Sequence, residues 1–170
     1  MAINAKGVAS WNELFELFKK DTSLFKESKF DLPSDTNPRL AGGMHWNANE
    51  YLAFLEELFH ERLLKEETLN MMFSDQLDGA TLVDSPAEAI GEDWHYGFGN
   101  WIECHSSVYN CEVTKISSPG LYGAYPFIDL KNRYFGILAR EGGSNTFAKG
   151  YEIFVYIQSE LEEWAILKPF

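Results

Sequence analysis

Basic residues are scarce in this chain. Fourteen lysines and arginines stand against 26 aspartates and glutamates, a formal charge of −12 at pH 7. Nucleic acid and anionic membrane surfaces repel such a protein, so neither is an expected partner. The acidity fits a solvated, soluble surface. Also missing is any apolar run near the roughly 18 residues that a membrane span needs. Met1–Gly7 holds one lysine and leads into an amphipathic pattern, not an apolar signal core. That places the chain in the cytoplasm if Met1 is its genuine start. Cysteine is nearly absent: Cys104 and Cys111 bracket six residues. Across a hairpin loop they could face each other in a disulfide, or they could be two free buried thiols. Even with His105 beside them they lack a fourth ligand at metal-site spacing, so no metal or cofactor is expected.

What is present suffices for one globular domain: 170 residues, 45% of them hydrophobic. Ser10-Trp11-Asn12-Glu13 forms a capping box that opens a helix with Leu14, Phe15, Leu17 and Phe18 on its apolar stripe. Pro33, Pro38, Gly42 and Gly43 make residues 31–43 a loop. A second box, Asn47 to Glu50, starts a helix running to about Leu63, and Glu66–Phe73 reads as a short helix. Residues 76–93 read as surface loop, with Ser85-Pro86-Ala87-Glu88 capping one turn. The period then changes. Residues 94–104 read as one strand, followed by strands at 111–117, 124–130 and 134–140, with a hairpin turn at Lys131–Arg133. Residues 149–164 return to helical spacing, with Phe154, Ile157, Leu161 and Trp164 on one side. The predicted fold is α+β: a mostly helical part over 1–93, then an antiparallel sheet with a C-terminal helix packed on it over 94–170.

The densest chemical signal is the run from Ser117 to Asp129, which sets two glycines and two prolines among large apolar residues in a strand-like segment. Glycine in a strand marks a bulge or a place where a ligand or another backbone comes close. An edge strand lining a cleft offers a backbone N–H, here that of Leu121, to an oxyanion, and a small polar side chain, here Ser118, to a carbonyl or carboxylate. Tyr122 and Gly123 would complete the wall.

The order Tyr96-Gly97-Phe98-Gly99, then Ser118-Pro119-Gly120-Leu121-Tyr122-Gly123, then Pro126-Phe127-Ile128-Asp129, then Tyr134-Phe135-Gly136-Ile137-Leu138 resembles the C-terminal portion of serine hydrolases related to class C β-lactamases and penicillin-binding proteins. Asn37–Met44, followed by the Tyr51–Leu55 helix, resembles the same family. The resemblance spans about Gly7 to Trp164. It implies an incomplete β-lactamase-like fold with part of its helical subdomain, and an ester or amide substrate hydrolysed through an acyl-serine in complete relatives. The family draws its nucleophile and lysine from Ser-x-x-Lys, further groups from Tyr-x-Asn or Ser-x-Asn, and a strand motif from Lys-Thr-Gly or His-x-Gly; a serine hydroxyl needs such a base at neutral pH. By resemblance Ser118-Pro119-Gly120 occupies the third motif, with Ser118 where a cation usually stands, and the Leu121 N–H is an oxyanion donor. The first two motifs lie upstream of the matched segment. The expectation is therefore no turnover by this chain alone, or a non-catalytic half-domain that needs a complementary chain or a homodimer partner.

Several weaker candidates have ordinary explanations. Ser23-Leu24-Phe25-Lys26 matches Ser-x-x-Lys, as Thr146-Phe147-Ala148-Lys149 does with threonine allowed, but the pattern is short and Ser23 falls at a helix end. Ser10-Trp11-Asn12 is explained by its cap. His45 and His95, each near a tryptophan at an element boundary, read as packed or half-exposed side chains before they read as bases. Asp129 is expected to organise the Lys131–Arg133 turn. Trp94, Tyr96, Phe98 and Trp101 suit either a pocket or a sheet packed on helices.

Overall fold

The computed structural model describes residues 2–31, 38–80, 82–104 and 112–167. The chain forms two compact units, Met1–Phe54 and Leu55–Phe170.

The first unit holds helices α1 (Ala2–Lys6) and α2 (Trp11–Thr22), the two-residue strands β1 (Lys29–Phe30) and β2 (Met44–His45), and the start of α3 (Ala48–Phe59). The Ser10 hydroxyl accepts from the Glu13 N–H at 3.1 Å, and the Glu13 carboxylate accepts from the Ala9 N–H at 2.9 Å. Both arms of the predicted box therefore form, the second one residue early. Trp11 and Phe15 meet Phe30 edge-on, with centroids 5.3 and 5.0 Å away. The β1–β2 pair was not predicted, because two residues per strand show no period. At Asn47 the side chain accepts from the Glu50 N–H at 2.9 Å, but Glu50 turns outward to the Ser28 hydroxyl at 2.6 Å and the Glu27 N–H at 2.7 Å.

α3 stops at Phe59 rather than near Leu63. Glu61 is left-handed (φ 57°), and the N–H groups of Glu61 and Arg62 turn back to the carbonyls of Leu58 and Glu57, closing the helix. After α4 (Glu66–Met72) and a 3-10 turn (Pro86–Ile90) comes an antiparallel sheet in the order β3 (His95–Tyr96), β4 (Trp101–Glu103), β5 (Lys115–Ser117), β6 (Tyr125–Asp129), β7 (Tyr134–Leu138). The single strand predicted over 94–104 is two strands. The Gly97 N–H donates to the Asn100 carbonyl at 2.9 Å, and Gly99 turns at φ 81°. A side chain at Gly97 would collide with the Met72 carbonyl, and the two glycines reverse the chain between the two strands.

Register fixes what each sheet face buries. Trp101, Ser117, Phe127 and Gly136 stand opposite one another in one row, and Glu103, Lys115, Asp129 and Tyr134 in the next. This face takes α5 (Phe147–Leu167), whose Phe147, Phe154 and Ala165 join Trp94, Tyr125, Phe127 and Tyr134 in the main core. Leu161 packs against that core as predicted, whereas Trp164 is 47% exposed. The other face presents the buried Ile102, Ile116 and Ile128. There Phe59 meets Phe135 at a centroid distance of 5.0 Å. The α+β fold with a helix packed on an antiparallel sheet is thus the one the sequence predicts.

Candidate functional site

Ser118, Pro119 and Gly120 continue β5 past its last paired residue. The Ser118 N–H donates to the Pro126 carbonyl at 3.1 Å, the Gly120 N–H to Ala124 at 2.8 Å, and the Gly123 N–H closes the turn onto Gly120 at 2.9 Å. The predicted strand-like run is therefore the end of one strand, a tight turn and the next strand. Moreover β5 lies between β4 and β6, so the segment extends an interior strand and not an edge. Leu121 and Tyr122 form the exposed tip, and Gly123 is buried.

The rear of this turn is held firmly. Arg140 Nη1 donates to the Tyr122 carbonyl at 3.1 Å and to Thr146 Oγ1 at 2.9 Å. The Gly142 N–H reaches the Tyr122 carbonyl at 2.7 Å, and the Thr146 N–H reaches the Leu121 carbonyl at 3.1 Å. Gly123 needs its missing side chain twice over. Its φ is 92°, and a Cβ would strike the Arg140 guanidinium. Gly150 in α5 is equally constrained, since a Cβ there would strike the Gly123 carbonyl. The turn carbonyls thus point back into the clamp. Among the described residues no acceptor takes the Leu121 N–H.

Among the described residues neither serine-type candidate meets a base. Ser23 is the left-handed C-cap of α2 (φ 61°), where the negative end of the helix dipole opposes an alkoxide. The Thr146 hydroxyl donates to the Gly143 carbonyl at 2.8 Å, and Lys149 bridges to Glu152 at 3.2 Å. His45 Nε2 pairs with Asp31 at 2.6 Å on the exposed surface of the first unit. His95 Nδ1 pairs with Asp75 at 2.6 Å and is largely buried. Asp129 does what the sequence suggests, receiving the Asn132 N–H at 2.7 Å and its side-chain amide at 3.1 Å. Of the four aromatics, Trp94 is core, Tyr96 and Trp101 pack on each other at 4.7 Å, and Phe98 is 53% exposed. Cys104 is disulfide-bonded, and Cys111 and His105 lie outside the described residues. No group of three or more metal-binding side chains gathers among the described residues.

Two hollows lie away from the turn. One, of about 520 Å³, is walled by Glu66, Glu67, Asn70, Met71 and Ser74, and its Ser74 hydroxyl is spent on the Met71 carbonyl at 3.0 Å. Another, of about 420 Å³, separates the 3-10 turn from α5 at Ile90, Tyr151 and Val155. Neither joins a nucleophile to a base.

A buried polar cluster escaped the sequence reading. Lys115 Nζ lies 2.8 Å from Glu103 and 4.4 Å above the Phe154 ring, and the Tyr125 hydroxyl donates to the other Glu103 oxygen. Burial, then the Glu103 charge, hold the Tyr125 phenol well above the usual tyrosine range. The signal was available, since period two puts Lys115 on the Ser117 face and Glu103 on the Trp101 face.

No protein-family model matches the sequence, and no curated protein does. Solved structures do. The fold matches a Bacteroides dorei DSM 17855 protein provisionally named a beta-lactamase, at TM-score 0.60 and 30% identity, over 76% of this chain and 43% of that one. The chain is thus similar in fold, and at 30% identity in sequence, to part of that protein. It also matches a penicillin-binding protein from Bacillus halodurans at TM-score 0.57 and 16% identity, over 92% of this chain and 51% of that one, a likeness of fold. This chain therefore spans about half the length of these structures. No described helix is long and apolar enough to cross a membrane.

Proposed function

We propose that this chain carries the acyl-receiving wall of a β-lactamase-related serine hydrolase and does not turn over esters or amides by itself. The observation that carries the reading is the Ser118–Gly123 turn, whose carbonyls are bound from behind while the Leu121 N–H keeps its donor unspent. Such a donor can receive an oxyanion, and Ser118 at the turn's entrance can contact a carbonyl. Tyr122 and Gly123 then line the approach. The lost cation at Ser118 favours ester or peptide-like acyl groups over anionic β-lactams. Without an activated serine the covalent route is closed, and what remains is the weak assistance of oriented donors.

The test is active-site labelling. The purified chain is treated with a fluorophosphonate, and hydrolysis of p-nitrophenyl esters is followed in parallel. Neither labelling nor hydrolysis above the uncatalysed rate is expected. Stoichiometric phosphonylation of the lone chain, at Ser23 or elsewhere, would overturn the reading.

A second reading, a non-catalytic binding half-domain, is favoured by β7, which is the last strand in the order of the five-stranded sheet. In that case Leu121→Pro, which deletes the free N–H, leaves partner binding unchanged.

A further inference from the structure

Aspartate followed by glycine occurs once in the chain, at Asp78-Gly79, and asparagine followed by glycine nowhere. The pair matters chemically because glycine has no side chain to crowd its own backbone nitrogen. Both residues are exposed. Both are left-handed, with φ 44° at Asp78 and 80° at Gly79, and the Ala80 N–H closes the turn onto the Leu77 carbonyl at 2.8 Å. Among the described residues no acceptor takes the Gly79 N–H and no donor holds the Asp78 carboxylate. Other aspartates are occupied: Asp31 pairs with His45 at 2.6 Å, Asp75 with His95 at 2.6 Å, and Asp129 receives the Asn132 N–H at 2.7 Å. At Asp78 a carboxyl carbon and a backbone nitrogen thus stand ready to close a five-membered ring, with neither group spent elsewhere among the described residues.

We propose that Asp78-Gly79 is a modification site, at which the folded chain converts aspartate to isoaspartate through a cyclic imide. The Gly79 nitrogen attacks the Asp78 side-chain carboxyl carbon. A C–N bond forms, the carboxyl C–O bond breaks, and the amide proton leaves with the hydroxyl as water. Water then adds to one of the two imide carbonyls. Opening at the main-chain carbonyl leaves Gly79 joined through the Asp78 side chain, which is isoaspartate; opening at the other restores aspartate. Water is the co-reactant, and the mass of the chain is unchanged. The isomer carries one extra atom in its main chain, so the Ala80-to-Leu77 closure loses its ring size. Upstream the chain is pinned, because the Leu77 N–H is held by Asp75 at 2.9 Å and the Gln76 N–H by the Tyr96 carbonyl at 2.9 Å. The proposal is independent of the hydrolase reading.

The full chain is incubated folded, at neutral pH, in water enriched in heavy oxygen, beside a sample held unfolded in urea. Each imide opening leaves one heavy oxygen on the residue, read by peptide mass spectrometry, and electron-transfer fragmentation tells isoaspartate from aspartate. In the folded chain the label is expected at Asp78 at least about tenfold above every other aspartate, at a rate within about tenfold of the unfolded sample. Asp78→Glu, which would have to close a six-membered ring, is expected to lose the label at this position. Asp78→Asn, which expels ammonia in place of water, is expected to react faster. Label at Asp78 in the unfolded sample alone, label spread evenly over the aspartates of the folded chain, label retained in Asp78→Glu, or an Asp78→Asn chain that reacts no faster would each overturn the proposal.

Discussion

Lys115 has no water to retreat to. Its ammonium is 2.8 Å from Glu103, faces the Phe154 ring, and belongs to a side chain only 10% exposed. Removing one partner of such a pair strands a buried charge, which typically costs about 3–5 kcal/mol. Glu103→Ala or Lys115→Ala is therefore expected to lower the unfolding free energy of the second unit by that order. Glu103→Leu combined with Lys115→Met should recover most of the loss, because the desolvation penalty leaves together with the attraction. Urea unfolding of the three variants decides the matter, and additive losses in the double variant would show that the pair is not coupled. Gly123 makes a separate residue-scale prediction. Gly123→Ala forces a side chain into the left-handed region and against Arg140, so it should destabilise by roughly 1–3 kcal/mol. It should also loosen the Leu121–Tyr122 tip, seen as faster amide exchange at Thr146, whose N–H is held by the Leu121 carbonyl. A neutral substitution would mean that the turn relaxes without strain.

Elements with a long period or a strong cap were legible, and those built on close approach were not. α2 is announced by Ser10 and Glu13, and the expected cost of Ser10→Ala is about 1 kcal/mol in the first unit, read by the loss of helical dichroism on heating. An unchanged midpoint would assign α2's stability wholly to Phe15 and its ring contacts. α5 is announced by Phe154 and Leu161, but its flank misled: Trp164 has the correct spacing for the core and still stands half-exposed. Spacing gives an angle around a helix; it does not say where the sheet beneath ends. The glycines misled differently. Gly97 and Gly99 fall inside the single strand that the sequence suggests over 94–104, yet the first avoids the Met72 carbonyl and the second turns the chain. Both causes are tertiary, and one sequence does not display them. The candidate site was half legible. Its residues are neighbours in sequence and remain neighbours in space. The clamp behind them, Arg140 and Thr146, comes from the β7–α5 connection and carries no local signature.

At the scale of the whole molecule, acidity and buried phenols act together. The second unit buries the Tyr125, Tyr134 and Tyr151 side chains in full or in part, and all three are held above the ordinary tyrosine range. Burial is the first cause in each case. Next comes Glu103 for Tyr125 and Tyr151, and Asp129 for Tyr134. Folding therefore favours the protonated phenol. Below the unfolded-chain value of about 10 this stabilisation is complete. As pH rises past that value the unfolded chain releases protons that the native state keeps, and stability falls until the native phenols also ionise. Every proton released adds to a chain already at −12, so self-repulsion works in the same direction. The expected outcome is cooperative alkaline unfolding, with part of the tyrosinate absorbance at ~295 nm appearing only as helical dichroism is lost. Replacing Tyr125 by Phe removes one of these linked protons, leaves Glu103 paired with Lys115, and should shift the transition to higher pH. If all eight tyrosines of the chain ionised in one reversible step with the dichroism intact, the phenols would not be held by the native core.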